Sequence, residues 1–390
     1  MHHLDTVTFT LFLIFSGAAI ISTAALFTRQ SMLVAYIVLG ALLGPFGFNI
    51  LKKVEIVQQT GDIGIMFLLF LLGLNLHPQK LVQMFSKMTW VALASSVVFA
   101  LIGFGLGVLF GYDVTTSWVI GLGMMFSSTI IGLKLLPTTV LHHQHTGEVM
   151  ISVLLLQDII AIMVLMILEM VSQGHVSFGR ISLFIVALPL LLVFAFFMQR
   201  FVLIKLLAKF DRVHEYIFLL SVGWCLAMAI LAEVLGLSAN IGAFIAGVAL
   251  AAHPISQYIS ENLKPLRDFF LIMFFFSIGA QFDSHYLPEI LAPAILLAIV
   301  MLVVKPLVFR FLIHQVKETK PVAWEVGARL GQASEFTLLL AYLALSTGLI
   351  SAQASCLIQA ATLITFIVSS YVVVLRYPSP LAFSDKLRRN

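Results

Sequence analysis

The residue in this chain best placed to do chemistry sits where an ordinary apolar helix would carry leucine. Residues 154–162 read LLLQDIIAI, inside an apolar run from Met150 to Ile167 that only Ser152, Gln157 and Asp158 interrupt. A carboxylate at the centre of a membrane helix costs roughly 2.5–3.5 kcal/mol on insertion scales, so Asp158 needs a function that offsets this. Desolvation penalises the charged form of a carboxyl. Such a group can hold a proton or, once it has lost it, a dehydrated cation, and competition for the one group couples the two fluxes. The plainer role is an aspartate fixed by a base. No Lys or Arg lies within two turns of Asp158 on its own run, so a partner would come from elsewhere, such as Lys305.

Two other stretches concentrate oxygen donors in apolar surroundings. GMMFSSTIIG (123–132) carries Ser127, Ser128 and Thr129; RLGQASEFTLLL (329–340) carries Gln332, Ser334 and Glu335. Hydroxyls and freed backbone carbonyls are hard ligands suited to an alkali cation, although small hydroxyls also serve as interhelical hydrogen bonders. If a helix breaks at each stretch, the opposed half-helix dipoles need neutralising, a role open to Glu335 and Lys134. The remaining embedded charges read more simply. Asp62 is placed at an interface, and Lys305, followed by Pro306, has a stem long enough to snorkel. Arg329 stands six residues from Glu335, which is not helical pairing distance, and is read as structural. His142, His143 and His145 could sense pH, but a solvated loop explains them as well.

The elements that must position these groups follow from composition. The chain has 390 residues, 61% hydrophobic and only 10% charged, against about 25% charged in a soluble domain. A water-soluble enzyme or nucleic-acid-binding globule is excluded, and the small net charge of +4 reports orientation instead. The apolar runs are unbroken and lack the alternation of a barrel, so they are helices. Thirteen spans are predicted, at 6–27, 31–50, 57–76, 87–110, 115–139, 147–172, 180–203, 214–236, 238–252, 263–281, 287–312, 322–346 and 352–375. The first is too long for a signal-peptide core. Cys225 and Cys356 fall inside spans, with no disulfide framework or metal-ligand spacing. With the N-terminus outside, 16 of the 22 Lys and Arg fall on the cytoplasmic side, against Lys52, Lys53 and Arg180 outside. The bias predicts N-out, C-in and an odd span number. An odd number allows two inverted repeats, spans 1–6 and 8–13, that cross at the matching interrupted spans 5 and 12.

The stretches FLLGLNLHPQKL (70–81), FSSTIIGLKLL (126–136), LLLQDIIAI (154–162), GLSANIGAFIAGVALA (236–251), FFFSIGAQFD (274–283) and GQASEFTLLL (331–340) occur in the order of a known family. The chain resembles the monovalent cation:proton antiporter-2 family, in particular the membrane domain of Kef-type potassium efflux proteins. The resemblance implies a sodium/proton-antiporter-like fold of thirteen spans with crossed discontinuous helices 5 and 12, a dimerisation scaffold, a mobile ion-carrying core and elevator-like alternating access. It makes Asp158 the ion-binding aspartate and Gln157 the mark of the potassium-associated branch. The sequence departs from the Kef pattern in two places: no GxGxxG fingerprint occurs, and the segment SQYISENLKPLRDFF (256–270) has Lys264 in place of an acid, which argues against glutathione gating.

These readings combine into one expectation. Residues 1–376 form a transmembrane exchanger and 377–390 a short basic cytoplasmic tail, with no soluble nucleotide-binding domain. The protein is a transporter and not an enzyme, needs no cofactor, and sits as a homodimer in a bacterial inner membrane, away from nucleic acid. It exchanges potassium for protons at Asp158, with Gln157, Ser127, Ser128 and Thr129 around the ion and Glu335, Arg329, Lys305 and Lys134 as supporting charges. Sodium/proton exchange and a gated potassium channel are the alternatives, though no TVGYG-like filter is present to favour the channel.

Overall fold

The computed structural model describes residues 7–28, 30–51, 55–75, 78–134, 145–172, 178–210, 213–237, 239–251, 253 and 255–378. The described residues are all-helical, without a strand. In chain order the helices are α1 (Val7–Phe27), α2 (Met32–Leu43), α3 (Glu55–Asn75), α4 (Pro78–Leu109), α5 (Val114–Met124), α6 (Thr129–Lys134), α7 (His145–Ser172), α8 (Phe178–Met198), α9 (Ile204–Lys209), α10 (His214–Val234), α11 (Ala239–Ala251), α12 (Ile255–Asn262), α13 (Lys264–Ala280), α14 (Leu287–Gln315), α15 (Lys320–Arg329), α16 (Glu335–Ser346) and α17 (Ala352–Arg376). Each of the thirteen predicted stretches carries helix. Among the described residues seven helices are long and apolar enough to cross a membrane, and five shorter apolar ones accompany them. The protein is a multi-pass membrane protein.

The boundaries differ where local chemistry intervenes. The second span is drawn over 31–50 with Gly44-Pro45 as its stop, and α2 does end there, at Leu43: Gly44 N–H closes on Gly40 O, and Pro45 follows. The chain between α8 and α9 passes through a π-helical turn at Gln199–Leu203, so the seventh span continues to Lys209. Residues 255–262 fall between the ninth and tenth predicted spans. They form α12, with Ser256 and Ile259 buried and Glu261 exposed. A one-sided helix of two turns carries too few apolar residues to register as a span.

The chain divides into two compact units. One comprises Met1–Lys52, Met84–Ser172 and Ile278–Asn390; the other Lys53–Gln83 and Gln173–Ser277. In the second unit α3 packs on α11 at backbone distance, and a Cβ at Gly247 would collide with the Phe70 carbonyl. Lipid supplies no hydrophobic drive between helices, so small residues that admit close backbone contact hold such pairs together. The first unit contains every candidate site residue. There Gly121 lets α5 lie against α4, because a Cβ at that position would meet the Ala100 carbonyl and, at 2.9 Å, the Phe104 amide nitrogen.

Candidate ion-binding site

α5 and α6 are the halves of one interrupted helix, and α15 and α16 the halves of another. The breaks are residues 125–128 and 330–334. Serine restarts each helix. The Ile131 amide donates to Ser128 Oγ at 3.0 Å, and Ser334 caps α16 in a reciprocal box with Thr337. Serine side chains satisfy the orphan amides of a helix N-terminus, so a helix can resume inside an apolar medium that offers no water.

The two breaks meet. Ser127 Oγ donates to Leu330 O at 2.8 Å, Thr337 Oγ1 to Gly123 O at 2.6 Å, and Gln332 Nε2 to Ser128 O at 3.5 Å. Gln157 on α7 splints the first break: its Oε1 accepts from the Ser127 amide at 3.2 Å and its Nε2 donates to Met125 O at 3.3 Å. The next residue, Asp158, is 2% exposed. Thr129 Oγ1 lies 3.1 and 3.2 Å from its two carboxylate oxygens. Asp158 forms no ion pair among the described residues, so the partnership with Lys305 weighed from the sequence is not made.

Lys305 departs from the sequence reading. It does not snorkel: it is 0% exposed, and its Nζ donates to Phe126 O and, at 3.0 Å, to Gln332 O, with the Phe99 ring 5.4 Å away. Phe126 follows the C-terminal end of α5 and Gln332 that of α15, so one ammonium faces the negative ends of both half-helix dipoles. The carboxylates sit at the opposite ends. Asp158 is held at the first residue of α6, and Glu335 opens α16, near enough to Asp158 to act on it electrostatically. At the negative ends the residue in contact, among the described side chains, is Lys305, which the sequence did not single out for this role. Lys134 closes α6, and its side chain lies outside the described residues, as do His142, His143 and the side chain of His145. Arg329 is turned away from the crossing. It binds Glu325 Oε1 through Nε at 3.0 Å and Nη2 at 2.8 Å, donates to Pro378 O at 2.8 Å, and stacks beside Tyr377. Asp62 is exposed on α3.

A third group of polar residues supports the second break. On α17, Thr365 Oγ1 accepts from the Ala333 amide at 3.0 Å, and Ser369 Oγ donates to Gln332 Oε1 at 2.8 Å. Both were missed from the sequence. Their signal was there: Ser355, Gln359, Thr362, Thr365 and Ser369 recur at three- and four-residue intervals, the period of one helix face.

Two helices broken inside an apolar interior, facing each other beside a buried acid, are architecture that many unrelated tasks could share. Kinship narrows them. A family model described as "Sodium/hydrogen exchanger, transmembrane" matches residues 11–375. The chain belongs to that family. Among relatives of the exchanger, the iron transporter MagA of Paramagnetospirillum magneticum is 27% identical over 91% of this chain and 83% of its own length. The K(+) efflux antiporter 5 of Arabidopsis thaliana is 27% identical over 80% of this chain and 56% of its own length. The putative cation/proton antiporter YbaL of Escherichia coli is 26% identical over 89% and 64%. The chain thus spans less than two thirds of the latter two. In fold, the exchanger resembles the solved sodium proton antiporter MjNhaP1 of Methanocaldococcus jannaschii, with a TM-score of 0.67 at 16% identity over 93% of this chain and 94% of that one. Membership of a cation/proton antiporter family places the protein among transporters.

Proposed function

We propose that this protein exchanges potassium for protons, with Asp158 as the site the two ions share. The observation that carries the reading is a carboxyl that is buried, free of any ion pair among the described residues, and held by Thr129 at the point where two broken helices expose polar backbone. A proton on Asp158 leaves a neutral acid that accepts the Thr129 hydroxyl. Loss of the proton leaves an anion that attracts a cation stripped of water, with the Ser127, Ser128 and Thr129 oxygens and the opened backbone nearby. Gln157 acts on this shell by fixing the first break, Lys305 ties the two breaks together through Phe126 O and Gln332 O, and Arg329 anchors the end of α15 to Glu325 and Pro378 O. One carboxyl carrying either ion gives one cation per proton and an electroneutral cycle.

Potassium is favoured over sodium by Gln157 next to Asp158 and by the kinship to a protein named as a potassium efflux antiporter. The fold likeness to a sodium proton antiporter keeps sodium as the second reading. Access alternates by elevator motion of the unit that contains the site, in a homodimer in the inner (plasma) membrane with the N-terminus outside. The exchanger occupies residues up to 376, and the basic residues that follow lie in the cytoplasm.

The test is proton flux in proteoliposomes under imposed gradients of potassium, sodium, rubidium and lithium in turn. Wild-type protein should move protons against potassium at the lowest concentration, without net charge transfer. Asp158→Asn keeps an acceptor for Thr129 and should lose exchange. Wild-type rates in that variant, or potassium current without proton movement, sink the reading.

A further inference from the structure

Two adjoining depressions are lined by residues of α14, α15 and α17. One is a groove of about 510 Å³ walled by Leu302, Pro306, Trp324, Val368, Val372 and Tyr377. The other, of about 220 Å³, is basic: Arg310, His314 and Lys320 line it beside Leu307 and Phe311. They join where the Arg310 guanidinium lies 4.5 Å over the Trp324 ring. Arg310, Lys320 and Arg376, the last at the groove's end, make no ion pair among the described residues. The one acid in the groove, Glu325, is already bound by Arg329 at 2.8 Å.

From this we infer a binding site for an anionic phospholipid. The polar end of the site is set by α14 closing at Gln315 and α15 opening at Lys320, so the basic cluster stands at the depth of lipid headgroups. Arg310 and Lys320 take the phosphate, and the stacking on Trp324 holds the guanidinium in place. From there the groove leads along the apolar sides of α14 and α17 past Leu302 and Val368, where an acyl chain fits. Val303, Leu307 and Phe311 on the same stretch of α14 are exposed, as lipid-facing residues are. Free phosphate would occupy only the basic pocket and leave the groove without an occupant. The inner wall of the groove includes Gly331 and Ser369, and Ser369 holds Gln332 of the second break. The inference does not rest on the ion that the protein carries.

Trp324 reports occupancy directly. In the full chain with Trp90, Trp118 and Trp224 replaced by Phe, Trp324 fluorescence is followed in phosphatidylcholine vesicles that contain increasing amounts of brominated phosphatidylglycerol or, in parallel, brominated phosphatidylcholine. Brominated phosphatidylglycerol should quench at a far lower mole fraction. R310Q and K320Q should each reduce that preference about fivefold, since each basic group near an anionic lipid contributes on that scale, and added inorganic phosphate should leave it unchanged. Equal quenching by the two lipids overturns the inference. So does a preference that survives R310Q and K320Q together, or one that phosphate abolishes. If the triple Trp replacement does not fold, the same lipids are compared in the wild-type chain against W324F, and the difference is read in the same way.

Discussion

Gln157 offers the cleanest perturbation of the site because it is neutral and both ends of its amide are used. Gln157→Ala leaves the Ser127 amide and the Met125 carbonyl buried without the partners they have now, at 3.2 and 3.3 Å. An orphaned buried polar group costs about 1–3 kcal/mol, so the pair costs about 2–6 kcal/mol before any cavity is counted. Unfolding entropy scales with length, at about 2.1 cal/mol/K per residue, which is about 0.8 kcal/mol/K for 390 residues. The melting temperature of the purified protein should then fall by about 2–8 °C, and exchange should weaken with it. Gln157→Glu is the informative companion. As a neutral acid it keeps the shape and both hydrogen bonds, but as a carboxylate it turns an oxygen toward Met125 O in place of a donor. Its stability should approach that of the wild type at acidic pH and drop as the pH rises, measured by thermal unfolding over a pH series. A Gln157→Ala protein that melts within about 1 °C of the wild type would show that the break at 125–128 does not depend on this splint, and the account of the site would lose its framework.

Two further outcomes test local chemistry away from the ion. Asp113 caps α5 by accepting from the Thr115 and Thr116 amides at 3.0 and 3.1 Å, so Asp113→Ala should cost about 1 kcal/mol in thermal stability. Hydrogen bonds from Thr116, side chain and then backbone, hold the Asp113 carboxyl below its ordinary value; its contribution is present above about pH 4 and is lost as pH falls through the lowered value, so the wild type and Asp113→Ala should converge in melting temperature only in that acid range. Lys317, which follows α14, has φ of 69°, a left-handed conformation that suits glycine, and Lys317→Gly should raise stability by about 0.5–1 kcal/mol, read as a rise in melting temperature.

Much of this protein was determined along the chain. Apolar runs long enough to cross lipid had to become helices, since no other local structure satisfies its own backbone there. The acid of LLLQDIIAI, and the serines that restart α6 and α16, could be picked out because each breaks an apolar pattern that local folding would leave unbroken. Tertiary structure decided what these groups meet. Lys305 lies 179 residues from Phe126 and 27 from Gln332 in sequence, yet its ammonium bridges both carbonyls. The α17 hydroxyls are ordinary on their own helix and matter only because α16 begins beside them. Arg329 could as well have turned toward Glu335; Glu325, one turn back on the same continuous helix, took it, while the break intervenes before Glu335. Periodicity reports which side of a helix is buried, but an interior with no water makes every freed carbonyl and amide seek a partner, and only the packed chain supplies it.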